Sequence, residues 1–204
     1  FTGVSGRKLQ IVYNGVDESW WSVKKRPGLY ARPYFVYVGN IKPHKNLIRL
    51  LQAYSVIMHE VKQDLILVGK KEGFLTGMGS TMQALLEKIG NRVSFTGWIE
   101  DNVLQEYVAG ASAMIFPSLY EGFGLPPLEA MACGCPVVVS RAASLPEVCG
   151  DGAIYCDPYD VMDIARAMKE VLNADLVEAG RRVAEGYSWD STVRGMLRII
   201  EGEE

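Results

Sequence analysis

The sequence predicts an α/β fold, an open parallel sheet with helices on both faces. Three observations predict it. Short runs of apolar, β-branched and aromatic residues recur along the 204 residues without the polar alternation of a half-exposed sheet. Longer segments with helical periodicity separate them. Gly39, Gly69, Gly97 and Pro117 each stand just after such a run. Continuous apolar strands suit a sheet covered on both faces, and an open sheet of this kind binds ligands at the carboxyl ends of its strands. At 49% hydrophobic content the chain can fill a core of that kind.

Taken in order, Tyr34 to Val38 (YFVYV) is the first regular strand, closed by Gly39. A helix follows, with Leu47, Leu50, Leu51, Tyr54 and Met58 on one face and Asn46 as its N-cap. Asp64 to Val68 (DLILV) is the second strand, closed by Gly69 and followed by a glycine-rich loop. Met82, Leu85, Leu86 and Ile89 stripe the next helix. Arg92 to Thr96 is the third strand and Asp101 to Val108 a short helix, with Val103, Leu104, Tyr107 and Val108 inward. Ala113 to Phe116 is the fourth strand, Pro126 to Cys133 a helix, Pro136 to Val139 the fifth strand and Ala153 to Cys156 the sixth. Asp160 to Leu172 is amphipathic, with Ile164, Ala165, Met168, Val171 and Leu172 inward. Two helical segments, Ala174 to Glu185 and Trp189 to Ile200, complete the pattern. The first thirty residues are irregular, with Ile11 to Tyr13 as a candidate short strand.

Composition excludes several functions. Basic and acidic residues are interleaved to a net charge of −3, with no basic run for nucleic acid. No apolar stretch reaches the roughly 20 residues that span a bilayer. The chain starts at Phe1, as a cut or processed product would. Cys133, Cys135, Cys149 and Cys156 do not have zinc-knuckle spacing, and His44 and His59 are far from them in sequence, so reduced, buried thiols and no metal site are expected.

The strongest chemical signal is EGFGLPPLE, Glu121 to Glu129, between a strand and a helix. Gly122 and Gly124 allow a sharp turn and close approach of a ligand to backbone N–H groups. Pro126 and Pro127 suit a helix start, where free N–H groups and the positive dipole end favour phosphate. By itself the pattern is equally a helix start with two acids favoured by the dipole.

The longer segment YEGFGLPPLEAMACGCPVV, Tyr120 to Val138, resembles the signature of glycosyltransferase family 4, retaining enzymes of GT-B architecture in which two Rossmann-like domains face across a cleft. Glu121 and Glu129 match the two acids of its motif, a Glu, seven residues and a second Glu. The resemblance implies that Glu121 contacts donor-sugar hydroxyls, that Glu129 binds the nucleotide ribose, and that Gly122, Phe123, Gly124 and Leu125 face sugar and diphosphate. YVGNIKPHKNL, Tyr37 to Leu47, resembles the family's glycine loop, with Gly39 at its turn and Lys45 matching the lysine that neutralises the diphosphate. Lys45 and Glu121 are the implied catalytic pair. Asn40 stands where the family often has Arg, and Asn supplies no charged fork to phosphate. Lys42 or His44 compensates, or Lys45 carries the charge alone. RVSFTGWI resembles the segment around the base and implies Gly97, Trp98 and Ile99 there, although Trp98 is equally suited to core packing. SLPEV, Ser144 to Val148, resembles a loop whose amides approach the diphosphate, with Glu147 structural. KLQIVYNGVD, Lys8 to Asp17, and YSWDSTV, Tyr187 to Val193, resemble the family's junction and terminal helix.

The resemblance divides the chain into an interdomain junction (1–30), a Rossmann-like donor-binding domain (31–186) and a C-terminal helix (187–204) that crosses to an N-terminal domain upstream of Phe1. It implies hexosyl transfer, mannosyl first, from a GDP- or UDP-linked sugar to an unknown glycan or lipid acceptor, without a cofactor or metal. It also implies a cytoplasmic enzyme, peripheral at the membrane through the preceding domain, with this chain alone inactive. Three alternatives compete. A dinucleotide-dependent dehydrogenase would need G-x-G-x-x-G where this chain reads GNIKPHKNL. An epimerase of the same architecture as a rule lacks the EGFG-to-EAMA pattern. A non-catalytic nucleotide-sugar-binding module remains open.

Overall fold

A computed structural model describes residues 9–24, 30–40, 42–69 and 79–201. The glycine-rich loop after Gly69 and the start of the junction segment at Lys8 lie outside these residues, as does Ile41. Six strands, β1 (Tyr34–Val38), β2 (Asp64–Val68), β3 (Val93–Gly97), β4 (Ala113–Phe116), β5 (Val137–Ser140) and β6 (Ala153–Cys156), form one sheet in the order β3-β2-β1-β4-β5-β6. Every pairing is parallel. Eight helices complete the described chain: α1 (Leu47–Ile57), α2 (Gly79–Ile89), α3 (Asp101–Gly110), α4 (Leu125–Ala132), α5 (Leu145–Cys149), α6 (Val161–Glu170), α7 (Val177–Glu185) and α8 (Trp189–Glu201). This is a Rossmann-like open sheet.

Period-two alternation sorts each strand's side chains between two cores. Phe35, Tyr37, Leu65, Leu67, Ala113, Ile115 and Val138 face α1, α2 and α6. Val36, Ile66, Val68, Met114, Phe116, Val137 and Val139 face α3, α4, α5 and α7. Strands β2, β4 and β5 therefore read as nearly continuous apolar runs because both faces are buried, whereas the edge strand β3 (VSFTG) is half-buried throughout. Strand order reverses between β1 and β4, so the connections leaving these neighbours diverge and open a crevice at their carboxyl ends.

Several expectations need correction. Ile11 to Tyr13 is not a strand; the segment's sheet-like contact is one bridge from Val16 to Ser188. The third strand begins at Val93, because Arg92 ends a 3-10 turn and its guanidinium is spent elsewhere. It pairs with buried Asp64 at 2.8 Å and donates to the carbonyls of Met58, Val61 and Gln63, so it holds the chain entering β2. SLPEV is not simply a loop: Leu145–Cys149 is helical, with Pro146 in the first turn, where no N–H is needed. The seventh helix starts at Val177, three residues later than its periodicity suggested. All four cysteines are buried, and burial pushes the Cys149 and Cys156 thiols up to about 12.

The terminal α8 lies on the junction segment. Thr192 Oγ1 donates to Tyr13 O at 2.6 Å, while Val193, Met196, Leu197, Ile199 and Ile200 remain exposed. No helix among the described residues is long and apolar enough to cross a membrane.

Candidate functional site

The two loops at the switch point carry the chemistry. After β1 the chain makes a 3-10 turn, Pro43–Lys45, then passes through Asn46 into α1. Asn46 occupies the N-cap position, but its side chain caps nothing. Its backbone is left-handed (φ 60°), so the amide group leaves the helix and Nδ2 donates to Pro117 O at 3.0 Å and Pro158 O at 2.6 Å. Arg49 donates to its Oδ1 at 3.0 Å, and the residue is buried. The backbone adds a tie from Leu119 N–H to His44 O at 2.7 Å. The loops after β1, β4 and β6 are thereby held together.

This clamp brings Lys45 against Glu121. Their Nζ and Oε1 atoms are 2.7 Å apart, with side chains only 17% and 13% exposed. Lys45 also lies 5.0 Å from the Phe116 ring centroid, a cation–π contact. The Glu121 charge reaches Tyr37, whose phenol is pushed upward by burial first and by Glu121 second. Asn40 is exposed and its carbonyl accepts from the Tyr37 hydroxyl; Lys42 is exposed too. Among the described residues, Lys45 is the cation paired with Glu121.

Gly39, Gly69 and Gly97 stand together at the carboxyl ends of β1, β2 and β3. Gly39 N–H donates to Val68 O, and Gly69 bridges Gly97. A Cβ on Gly69 would lie 2.3 Å from Gly39 O, so only glycine fits there. Beyond β3, Trp98 is 66% exposed, which removes the core-packing alternative, while Ile99 packs against the core.

The segment 121–124 is irregular and leads into α4. Gly124 has φ 112°, and a Cβ there would meet Leu145 Cδ2 at 2.7 Å. The expected phosphate site at the α4 N-terminus is weaker than the sequence suggested. The helix begins at Leu125, and Pro126 and Pro127 remove two of its first donors, so the available N–H groups belong mainly to the preceding loop. Ser144 Oγ reaches the carbonyls of Glu121 (3.0 Å) and Phe123 (2.8 Å). The Phe123 ring packs against Tyr13 and Tyr187, with centroids 6.0 and 5.6 Å away, and the Tyr13 hydroxyl donates to Glu147 at 2.5 Å. Glu147 thus braces the junction segment.

Glu129 takes no part in the Lys45 pair. It is half-buried, and its carboxyl is pushed up to about 7, by burial first and then by the charges of Asp101 and Asp17. The Trp20 indole, in polar contact with it, opposes the shift. Asp17 is itself held low by its hydrogen bonds from Ser19. Glu129 therefore stands beside the start of α3 and the 3-10 turn Glu18–Ser22 as a carboxyl that gains from hydrogen-bond donors. The roles of Trp20, Asn46 and Ser144 were not foreseen, since each depends on contacts far away in sequence. Among the described residues no group of three or more His, Cys, Asp or Glu is placed to hold a metal.

Residues 22–203 match a protein family described as glycosyl transferases group 1. The chain belongs to the glycosyl transferases group 1. It is 36% identical over 166 residues to the O-antigen chain mannosyltransferase B of Escherichia coli, covering 78% of this chain and 43% of that protein. It is 33% identical over 208 residues to the MMP alpha-(1->4)-mannosyltransferase of Mycolicibacterium hassiacum, covering 97% of this chain and 49% of that one. Among solved structures it resembles a sucrose-phosphate synthase from Thermosynechococcus elongatus, with TM-score 0.74 and 27% identity over 84% of this chain and 45% of that one. This glycosyl transferase chain thus spans less than half the length of these three relatives.

Proposed function

We propose that this chain is the donor-binding half of a retaining GT-B glycosyltransferase of family 4. It would transfer a hexosyl group from a nucleoside diphosphate sugar to an acceptor hydroxyl. The observation that carries the reading is the shielded Lys45–Glu121 pair at the switch point. In this reading the lysine is a fixed cation for the diphosphate, and the glutamate beside it is an acceptor for sugar hydroxyls. A diphosphate entering the crevice competes with Glu121 for Lys45 and leaves the carboxylate to the sugar.

Glu129 accepts from the ribose hydroxyls, and Gly97, Trp98 and Ile99 lie by the base. Lys45 and loop N–H groups offset the phosphate charge without a metal. Names of relatives such as the E. coli mannosyltransferase favour mannose, hence GDP-mannose, with a UDP-sugar second. The acceptor, a glycan or lipid, meets a preceding domain of the same polypeptide, which also receives α8 and brings the enzyme to the cytoplasmic membrane face. Alone, this chain binds donor and transfers nothing, because closure of two domains is what excludes water and aligns the reactants.

The test is a thermal-shift panel of GDP, UDP, ADP and their sugars. Stabilisation by one nucleotide series supports the reading, and no stabilisation by any of them refutes it.

A further inference from the structure

Segment 121–124 lacks regular secondary structure, so its peptide orientations depend on what holds its carbonyls. Ser144 stands at the N-cap of α5, where a serine usually bonds an N–H of its own helix. Here it makes no such bond. Its hydroxyl turns instead to Glu121 O and Phe123 O. The preceding residue, Ala143, sits in the left-handed region (φ 51°), a conformation unfavourable for any residue with a Cβ. The chain thus spends both a helix cap and some backbone strain to aim this hydroxyl.

The consequence follows from peptide geometry. In a trans peptide the C=O and the next N–H point in opposite directions. Holding the carbonyls of residues 121 and 123 toward α5 turns the N–H groups of Gly122 and Gly124 away from it. Neither N–H has a partner in the described structure. Gly122 is exposed and Gly124 buried, and a backbone donor without a protein partner needs another acceptor. On the other flank Tyr13 and Tyr187 hold the Phe123 ring, so the loop cannot swing to relax.

We propose that Ser144 is a positioning residue for donor binding, aiming the Gly122 and Gly124 N–H groups at the distal phosphate and sugar of a nucleoside diphosphate sugar. This rests on the donor-site reading above. Ser144 does not itself touch the ligand; its hydroxyl acts through the loop.

The experiment compares the unaltered protein with Ser144→Ala and Ser144→Thr by calorimetry, using GDP-mannose and GMP, or UDP-glucose and UMP if the uracil series binds better. GMP lacks the distal phosphate and sugar, so it reads the base, ribose and proximal-phosphate contacts. Ser144→Ala should weaken GDP-mannose by about tenfold and leave GMP within about twofold, the loss expected when hydrogen bonds to a charged group lose their aim. Ser144→Thr, which keeps the hydroxyl, should recover most of the affinity. In the unaltered protein the amide resonances of Gly122 and Gly124 should move with GDP-mannose and not with GMP. Equal weakening of both ligands by Ser144→Ala would mark a merely structural role and overturn the inference, as would unchanged GDP-mannose affinity. Should the unaltered protein bind none of the probes, the donor-site reading itself fails and the inference falls with it.

Discussion

Replacing Glu129 by glutamine removes a carboxyl that the fold holds protonated well above its ordinary range. Its pKa rises from 4.5 to about 7, through burial and then through Asp101 and Asp17. A difference of that size corresponds to about 3 kcal/mol, at 1.36 kcal/mol per unit. The sign follows from proton counting. Between pH 4.5 and 7 the unfolded chain has released this proton while the native state retains it. Raising the pH therefore favours unfolding. The contribution is full below about pH 4.5, declines through the interval and is lost above about pH 7. Glu129→Gln keeps a neutral side chain at every pH. Its stability relative to the unaltered protein should rise by about 3 kcal/mol from pH 4.5 to 8 and then stay level. Urea unfolding at half-unit pH steps measures this directly. A constant difference across the range would show that Glu129 titrates normally and that its surroundings are wetter than the packing against Trp20 implies. On the proposed donor-site reading, ribose hydroxyls are best accepted by the ionised Glu129, so nucleotide affinity should weaken as pH falls below 7.

Truncating one partner of the Lys45–Glu121 pair should cost more than altering both. Lys45→Ala leaves a shielded carboxylate unpaired and should destabilise by about 2–4 kcal/mol, whereas Lys45→Met combined with Glu121→Gln should lose about half as much; additive losses in a double-mutant cycle would show the two groups do not interact. Asn46→Ala removes two hydrogen bonds to loop carbonyls and should cost about 2–3 kcal/mol. Asn46→Gly, which accepts φ 60° freely, should recover only the backbone part; full recovery in chemical denaturation would make the side-chain ties irrelevant. Transfer by the full-length enzyme should survive EDTA. Activity lost on chelation and restored by magnesium or manganese would refute charge compensation by Lys45 and backbone donors.

The sequence carried the sheet because the signal is local. Six short runs rich in apolar and β-branched residues, alternating with helical segments, admit little besides a covered parallel sheet. Lys45 and Glu121 stand out because their segments resemble a family's motifs; that the two meet at the crevice where strand order reverses comes from the tertiary structure. Other features became visible only in three dimensions. Asn46 reads as a helix cap, and only its left-handed backbone and the nearness of Pro117 and Pro158, 71 and 112 residues away, turn it into a clamp between loops. Arg92 reads as the start of a strand until Asp64 and three carbonyls claim its guanidinium. Glu129 matches a motif, but its raised pKa comes from burial first and then from Asp101 and Asp17, which other segments bring beside it, against the opposing hydrogen bond from Trp20. The division has a physical cause. Strand and helix formation is written in periodicities a few residues long, whereas the ionisation of a carboxyl and the direction of a backbone N–H depend on what tertiary packing places beside them.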